Sequence, residues 1–191
     1  QLVIEDPSSV FPLPDTQTPL PREGQGDDLL CCFSTSGTTG FPKLAAHGHH
    51  SIARHAWHVA RAFGLRPTDA MLCALPFYGV FGFMVVLSTL AGGAACVLQP
   101  VFDAPEAARL VPAHRITHAV GSDAMFVPML DEPGIDWRSM RHIIQADFVG
   151  LSAAVTERGH ALGIACSGTY GSSELYALMS LHDWKAPVAQ R

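Results

Sequence analysis

Short, almost wholly apolar runs recur along the chain after residue 28, separated by amphipathic or polar stretches. The runs "LLCCF" (29–33), "AMLCAL" (70–75), "AACVL" (94–98), "THAVG" (117–121), "HIIQA" (142–146) and "IACSGTY" (164–170) predict strands. Between them the pattern predicts helices: Ser51 to Phe63, ended by Gly64 and Pro67; residues 80–91; and Asp103, as cap, through Ala113 with Pro105 in the first turn. Three more are expected from Ser122 to Leu130, from a Ser152 cap to Ala161, and from Ser173 to Leu181. Strands that are apolar throughout, rather than on alternate residues, are buried on both faces. The expected fold is therefore α/β, a mostly parallel sheet layered with helices on both faces. Residues 6–28 hold five prolines and predict an irregular lead-in, which divides the chain into segments 1–28 and 29–191.

The run from Ala70 to Phe102 contains no charged residue and no histidine, which raises the question of a membrane span. Pro76, Gly79, Gly82 and the pair Gly92-Gly93 interrupt it, so strand, helix and strand is the preferred reading. A membrane protein built on 70–102 stays as an alternative.

Composition narrows the picture. Of the 191 residues 48% are hydrophobic and 15% charged, as in a core-rich globular chain. A net charge of −5, with twelve scattered Lys and Arg, argues against nucleic acid as partner. Five cysteines without a CxxC pair suggest buried, reduced thiols and a cytoplasmic setting. The chain begins with Gln1 rather than Met, and we expect it to be a piece of a longer protein.

Ligands of such sheets collect beyond the carboxyl ends of strands, and two polar, glycine-bearing segments, 34–43 and 170–174, are expected there. In the first, Gly37 and Gly40 permit close backbone approach, Ser34, Thr35, Ser36, Thr38 and Thr39 supply hydroxyls, and Lys43 supplies a cation. The spacing is not that of a GxxxxGK[ST] loop. Composition alone leaves a phosphate grip and a solvent-exposed turn about equal. Nearby His47, His49, His50, His55 and His58 lack metal-ligand spacing and read as partly exposed surface histidines.

Residue order separates those readings. Thr35 to Lys43 closely resembles the Thr-Ser-Gly-Thr-Thr-Gly-x-Pro-Lys signature of the adenylate-forming superfamily, which includes acyl-CoA synthetases, luciferases and peptide adenylation domains. "GDDLLCCF" before it and His49 after it are similar to that family's flanks, "LPFYGVFGF" (75–83) resembles its acyl-pocket segment, and "YGSSE" (170–174) its Tyr-Gly-x-Thr/Ser-Glu motif. The resemblance covers about residues 26–182, and Gly79 departs from the His or aromatic usual there.

The resemblance implies joining of a carboxylate to the α-phosphate of ATP, with CoA as acceptor thiol and Mg²⁺ as metal. It places Thr35, Ser36, Gly37, Thr38, Thr39, Gly40 and Lys43 around the β- and γ-phosphates, and Tyr170, Gly171, Ser172 and Ser173 around the adenine and α-phosphate. Thr38, Lys43 and Glu174 would be catalytic, Glu174 also binding Mg²⁺. Tyr78, Gly79, Phe81 and Gly168 would line the acyl pocket, with Gly82 adding space. Structural alternatives are a core aromatic for Tyr170 and a dipole-favoured helix-start carboxylate for Glu174. No aspartate suits an α-amino group; Asp123, the nearest, departs from the family's small residue or Pro, so a fatty or aromatic acid is expected.

The sequence stops at Arg191, before the family's Thr-Gly-Asp segment and the later domain bearing its catalytic lysine. The expectation is the central part of the large N-terminal domain, which alone turns over substrate poorly or not at all. A non-catalytic nucleotide-binding remnant is the other alternative.

Overall fold

The structure, a computed structural model, describes residues 24–35 and 43–185. A six-stranded sheet has the order β4-β3-β5-β6-β7-β8. Strands β3 (Ala70–Cys73), β4 (Ala95–Leu98), β5 (His118–Ser122), β6 (His142–Ala146) and β7 (Ala165–Tyr170) run parallel, and the short β8 (Ser180–Leu181) pairs antiparallel with β7. Among the described residues the helices are, in chain order, α1 (His49–Phe63), α2 (Val80–Ala91), α3 (Ala104–His114), α4 (Asp123–Leu130) and α5 (Ser152–Ala161).

The apolar strands serve two cores, one on each face. Leu72 and Ile143 point to a core with Ala107, Val111, Phe126 and Val155, from α3, α4 and α5. Their neighbours Met71, Cys73 and Ile144 point the other way, to Ile52, Val59 and Phe63 of α1 and Met84 and Val85 of α2. Successive strand residues alternate between faces, so only runs without polar interruption can fill both layers. The α/β expectation holds.

Local chemistry sets the boundaries. Asp103 caps α3, its carboxylate accepting from the Glu106 N–H at 2.9 Å. The 70–102 run folds as strand, helix and strand, and among the described residues no helix is long and apolar enough to cross a membrane. Gly82 does not open a pocket: a Cβ there would collide with the Pro76 carbonyl oxygen, so the glycine serves close packing. Cys73 and Cys166 are buried as expected, whereas Cys32 is exposed and Cys31 and Cys96 are half-buried.

Three expectations are corrected. The strand at 29–33 is observed as β1 (Leu29–Ser34), but it pairs antiparallel with an unpredicted strand, β2 (Leu44–Gly48), in a ribbon separate from the sheet. Ser152 opens α5 without capping it; Leu151 holds the cap position, and its N–H donates to buried Asp123. The helix expected from Ser173 to Leu181 is a 3₁₀ turn, Ser173–Leu175, followed by β8. Tyr176 and Ala177 adopt left-handed φ values of 55° and 69°, which end any right-handed helix.

A polar cluster lies at the amino end of the sheet. His118 and His142 face each other across β5 and β6 with ring centroids 6.1 Å apart. His118 Nε2 bonds the Phe63 carbonyl at 3.1 Å and His142 Nε2 the Ser167 hydroxyl at 2.8 Å. Arg141 pairs with buried Asp69 beside them. Burial, and secondarily the His118 charge, push His142 down to about 4. Its folded value lies below the ordinary one, so the stability it contributes is complete above pH ~6.5 and is lost as pH falls through about 4. Replacing His142→Gln is expected to flatten the stability profile between those values by about 3 kcal/mol, measured by urea unfolding across pH.

Candidate active site at the carboxyl edge of the sheet

The neck of the first signature loop is the end of the β1–β2 ribbon, where the Thr35 N–H donates to the Lys43 carbonyl at 2.8 Å. An antiparallel pair closed in this way holds both ends of the segment between them in register. Thr35 is half-buried and Lys43 exposed. The expectations for Ser36, Gly37, Thr38, Thr39 and Gly40 lie outside the described residues.

The second motif leaves the carboxyl end of β7 and folds back on itself. The Ala177 N–H donates to the Ser172 carbonyl and the Met179 N–H to the Tyr170 carbonyl, each at 2.9 Å. Gly171 makes this reversal feasible, since a Cβ there would coincide with the Ala177 carbonyl. Glu174 emerges exposed from the turn. Its own backbone N–H, the Ser172 side chain and, more weakly, the charge of Lys43 hold its carboxyl below the usual glutamate range. Glu174 is therefore ionised at neutral pH. The ends of the two signatures are thus brought within electrostatic reach of each other.

Two contacts join the ribbon and α1 to the turn. His47 Nε2 lies 2.8 Å from the Ser173 carbonyl oxygen, and His55 Nε2 lies 2.7 Å from that of Leu178. These residues are not the surface histidines expected: His47 is only 7% exposed, and both rings pack on buried Tyr176. Alternation in β2 turns Ala45 and His47 inward and Leu44 outward, a signal too short to read in "LAAHG". His49 and His50 are exposed at the start of α1, and no group of three or more His, Cys, Asp or Glu that could hold a metal occurs among the described residues.

Tyr170, 64% exposed, stands between two cavities. The smaller, about 100 Å³, has walls from Phe81, Ala146, Phe148, Gly171, Ser172 and Leu178 among others. The larger, about 770 Å³, is flanked by Gln145, Asp147, Glu157, His160, Gly168 and His182. Phe81 and Gly168 therefore belong to different cavities, while Tyr78, 89% exposed, and Gly79, the cap of α2, line neither. A Cβ on Gly168 would approach His182 Nδ1 at 3.2 Å.

Asp123 organises the loop that supplies Phe148 and Asp147 to these walls. Fully buried, its carboxylate accepts from the N–H groups of Ala124, Phe148, Val149 and Leu151 at 2.8 to 3.1 Å. Burial would raise its pKa, but the donors from Leu151, Phe148 and Val149, with the Asp147 side chain, outweigh it and hold the group at about 2. No local pattern marks Asp123 for this, because its three loop partners lie 25 to 28 residues away.

The fold is that of an α/β protein in which the second motif leaves the carboxyl end of a parallel strand and the first sits on a separate antiparallel ribbon. The chain belongs to the AMP-binding enzyme family, which it matches over residues 3–191. It is 32% identical to the indoleacetate–CoA ligase of Aromatoleum aromaticum over 158 residues, 81% of this chain and 31% of that protein. It is also 32% identical to the putative acyl-CoA synthetase YngI of Bacillus subtilis over 111 residues, 58% of this chain and 20% of that one. Among solved structures, the inhibitor-bound N-terminal domain of FACL13 from Mycobacterium tuberculosis superposes with a TM-score of 0.76 at 27% identity, covering 85% of this chain and 41% of that domain. ATP-bound MatB from Rhodopseudomonas palustris superposes with a TM-score of 0.73 at 25% identity, covering 86% and 33%. The chain thus spans between a fifth and a third of the length of these two curated relatives.

Proposed function

We propose that this chain is the nucleotide-gripping core of an enzyme that activates a carboxylic acid with ATP and passes the acyl group to CoA. In the first step a carboxylate oxygen attacks the α-phosphorus, the bond to the β-phosphate oxygen breaks, and pyrophosphate leaves. In the second the thiolate sulfur displaces AMP from the acyl carbon. The observation that carries the reading is the junction of the two signatures, where His47, four residues after Lys43, bonds the carbonyl of Ser173 next to Glu174, with Tyr170 at the mouths of two cavities.

In this reading the segment from Thr35 to Lys43, with Ser36, Gly37, Thr38, Thr39 and Gly40, grips the β- and γ-phosphates, and Ser172 and Ser173 lie toward the α-phosphate. Tyr170 offers its ring to the adenine. Glu174 suits Mg²⁺, which characteristically takes one or two carboxylates with substrate phosphates and waters rather than an all-protein cage. A single exposed, ionised carboxylate fits that mode. Bound there, the ion would offset the negative charge that resists attack on phosphorus. The apolar walls from Phe81 and Phe148 favour a fatty or aromatic acid, as does a relative named for indoleacetate.

Two measurements test this reading. Titration of the 191-residue chain with ATP and Mg²⁺ is expected to show binding that Lys43→Ala and Glu174→Gln each weaken by about tenfold, the size of one charged contact. Equal affinity in both variants would refute these roles. Carboxylate-dependent exchange of pyrophosphate into ATP is expected only from a longer protein carrying the remaining catalytic segments; full exchange by the isolated chain would contradict that division. In such a protein Gly79→Trp is expected to shorten the preferred acyl chain, and an unchanged chain-length profile would remove Gly79 from the acyl pocket.

A further inference from the structure

We propose that His47 and His55 are positioning residues that clamp the turn 172–178 at both ends and so fix where Glu174 leaves it. The functional part of this inference rests on the reading of Glu174 and Lys43 given above; the geometric part does not.

The turn's own hydrogen bonds, Ala177 N–H to the Ser172 carbonyl among them, span a strained stretch of backbone. Tyr176 and Ala177 are consecutive non-glycine residues with left-handed φ, and such backbone persists only where its surroundings enforce it. The enforcing contacts come from elsewhere in the chain. One imidazole grips the carbonyl of Ser173, immediately before Glu174, and the other grips the carbonyl of Leu178, immediately after the left-handed pair. Because both acceptors are carbonyl oxygens, each ring must carry its proton on Nε2. The Tyr176 ring lies against both, with centroid distances of 5.3 Å to His47 and 5.1 Å to His55.

The clamp begins where the first signature ends. His47 is in β2, which starts directly after Lys43, and His55 is in α1, which continues from β2. Position is therefore transmitted from the strand that begins right after Lys43, through His47, to a carbonyl 126 residues away and on to its neighbour Glu174. Neither imidazole lines either of the two cavities beside Tyr170, so the role is positioning rather than contact with a reactant.

The test uses His47→Leu and His55→Leu, which abolish the donors, His47→Asn, whose amide is too short to reach Ser173, and His47→Gln and His55→Gln, whose Nε2 donors keep the reach. The first readout, carbon-13 shifts of the Ser173 and Leu178 carbonyls with amide hydrogen exchange across 172–178 in the 191-residue chain, needs no nucleotide. The Leu and Asn variants are expected to lose the hydrogen-bonded shift of the released carbonyl and to exchange about tenfold faster in the turn, and the Gln variants to keep both. The second readout is affinity for ATP with Mg²⁺, expected to fall about tenfold in the Leu and Asn variants and to stay within about threefold in the Gln variants, the scale of one hydrogen bond. Should a Leu variant fail to fold, His47→Asn carries the comparison. Unchanged carbonyl shifts and exchange in folded Leu or Asn variants overturn the clamp. Altered shifts and exchange in variants of a chain that itself binds no ATP uphold the clamp and refute the nucleotide reading.

Discussion

Asp123→Ala is expected to lower stability by about 3 to 5 kcal/mol, because it strands several N–H groups that one buried carboxylate now satisfies. At roughly 2–4 °C per kcal/mol for a chain of this size, thermal denaturation will show a fall of about 10 °C. Asp123→Asn, which keeps one acceptor oxygen, should lose about half as much. Acid titration provides an independent check. The folded-state pKa, at about 2, lies below the ordinary carboxylate value, so this stabilisation is present above that ordinary value and disappears as pH falls through about 2. The gap between wild type and Asp123→Asn should therefore close over the same interval. An Asp123→Ala protein melting within about 2 °C of wild type would show that loop 147–151 does not depend on this carboxylate.

Gly171→Ala is expected to act on the site more than on the sheet. An added methyl would occupy the position of the Ala177 carbonyl, and backbone cannot yield as a flexible side chain does. The turn must move, carrying Ser172, Ser173 and Glu174 with it. Affinity for ATP with Mg²⁺ should fall at least about a hundredfold, roughly 2.7 kcal/mol, while the core under α3, α4 and α5, to which no residue of this turn belongs, keeps the sheet assembled. Nucleotide titration beside circular dichroism measures both. Retained affinity would mean that the reversal at 171–177 is not what places Glu174.

Most of the fold is legible in the hydrophobic pattern because the central parallel strands are buried on two faces and some helices are bounded by a local signal. Asp103 before α3 and Gly64 after α1, the latter at φ 70°, are such signals. The pattern fails where local and tertiary preferences conflict. "SELYALMSL" has helical apolar spacing, yet the burial of Tyr176 against Phe33, His47, His55 and Phe83 pulls the chain into a left-handed turn. "LAAHG" is too short to declare itself a strand, and only its pairing with β1 makes it one.

By itself the sequence determined the α/β class and, through the unbroken order of Thr35 to Lys43, the family, since both are properties of neighbouring residues. Only the tertiary structure decided that β1 and β2 stand apart from the sheet, that Asp123 supports a cavity wall, and that His47 and His55 hold the second motif. The last two rest on contacts between residues 25 to 126 positions apart, formed by packing and by the need to satisfy buried polar groups. No local periodicity encodes them.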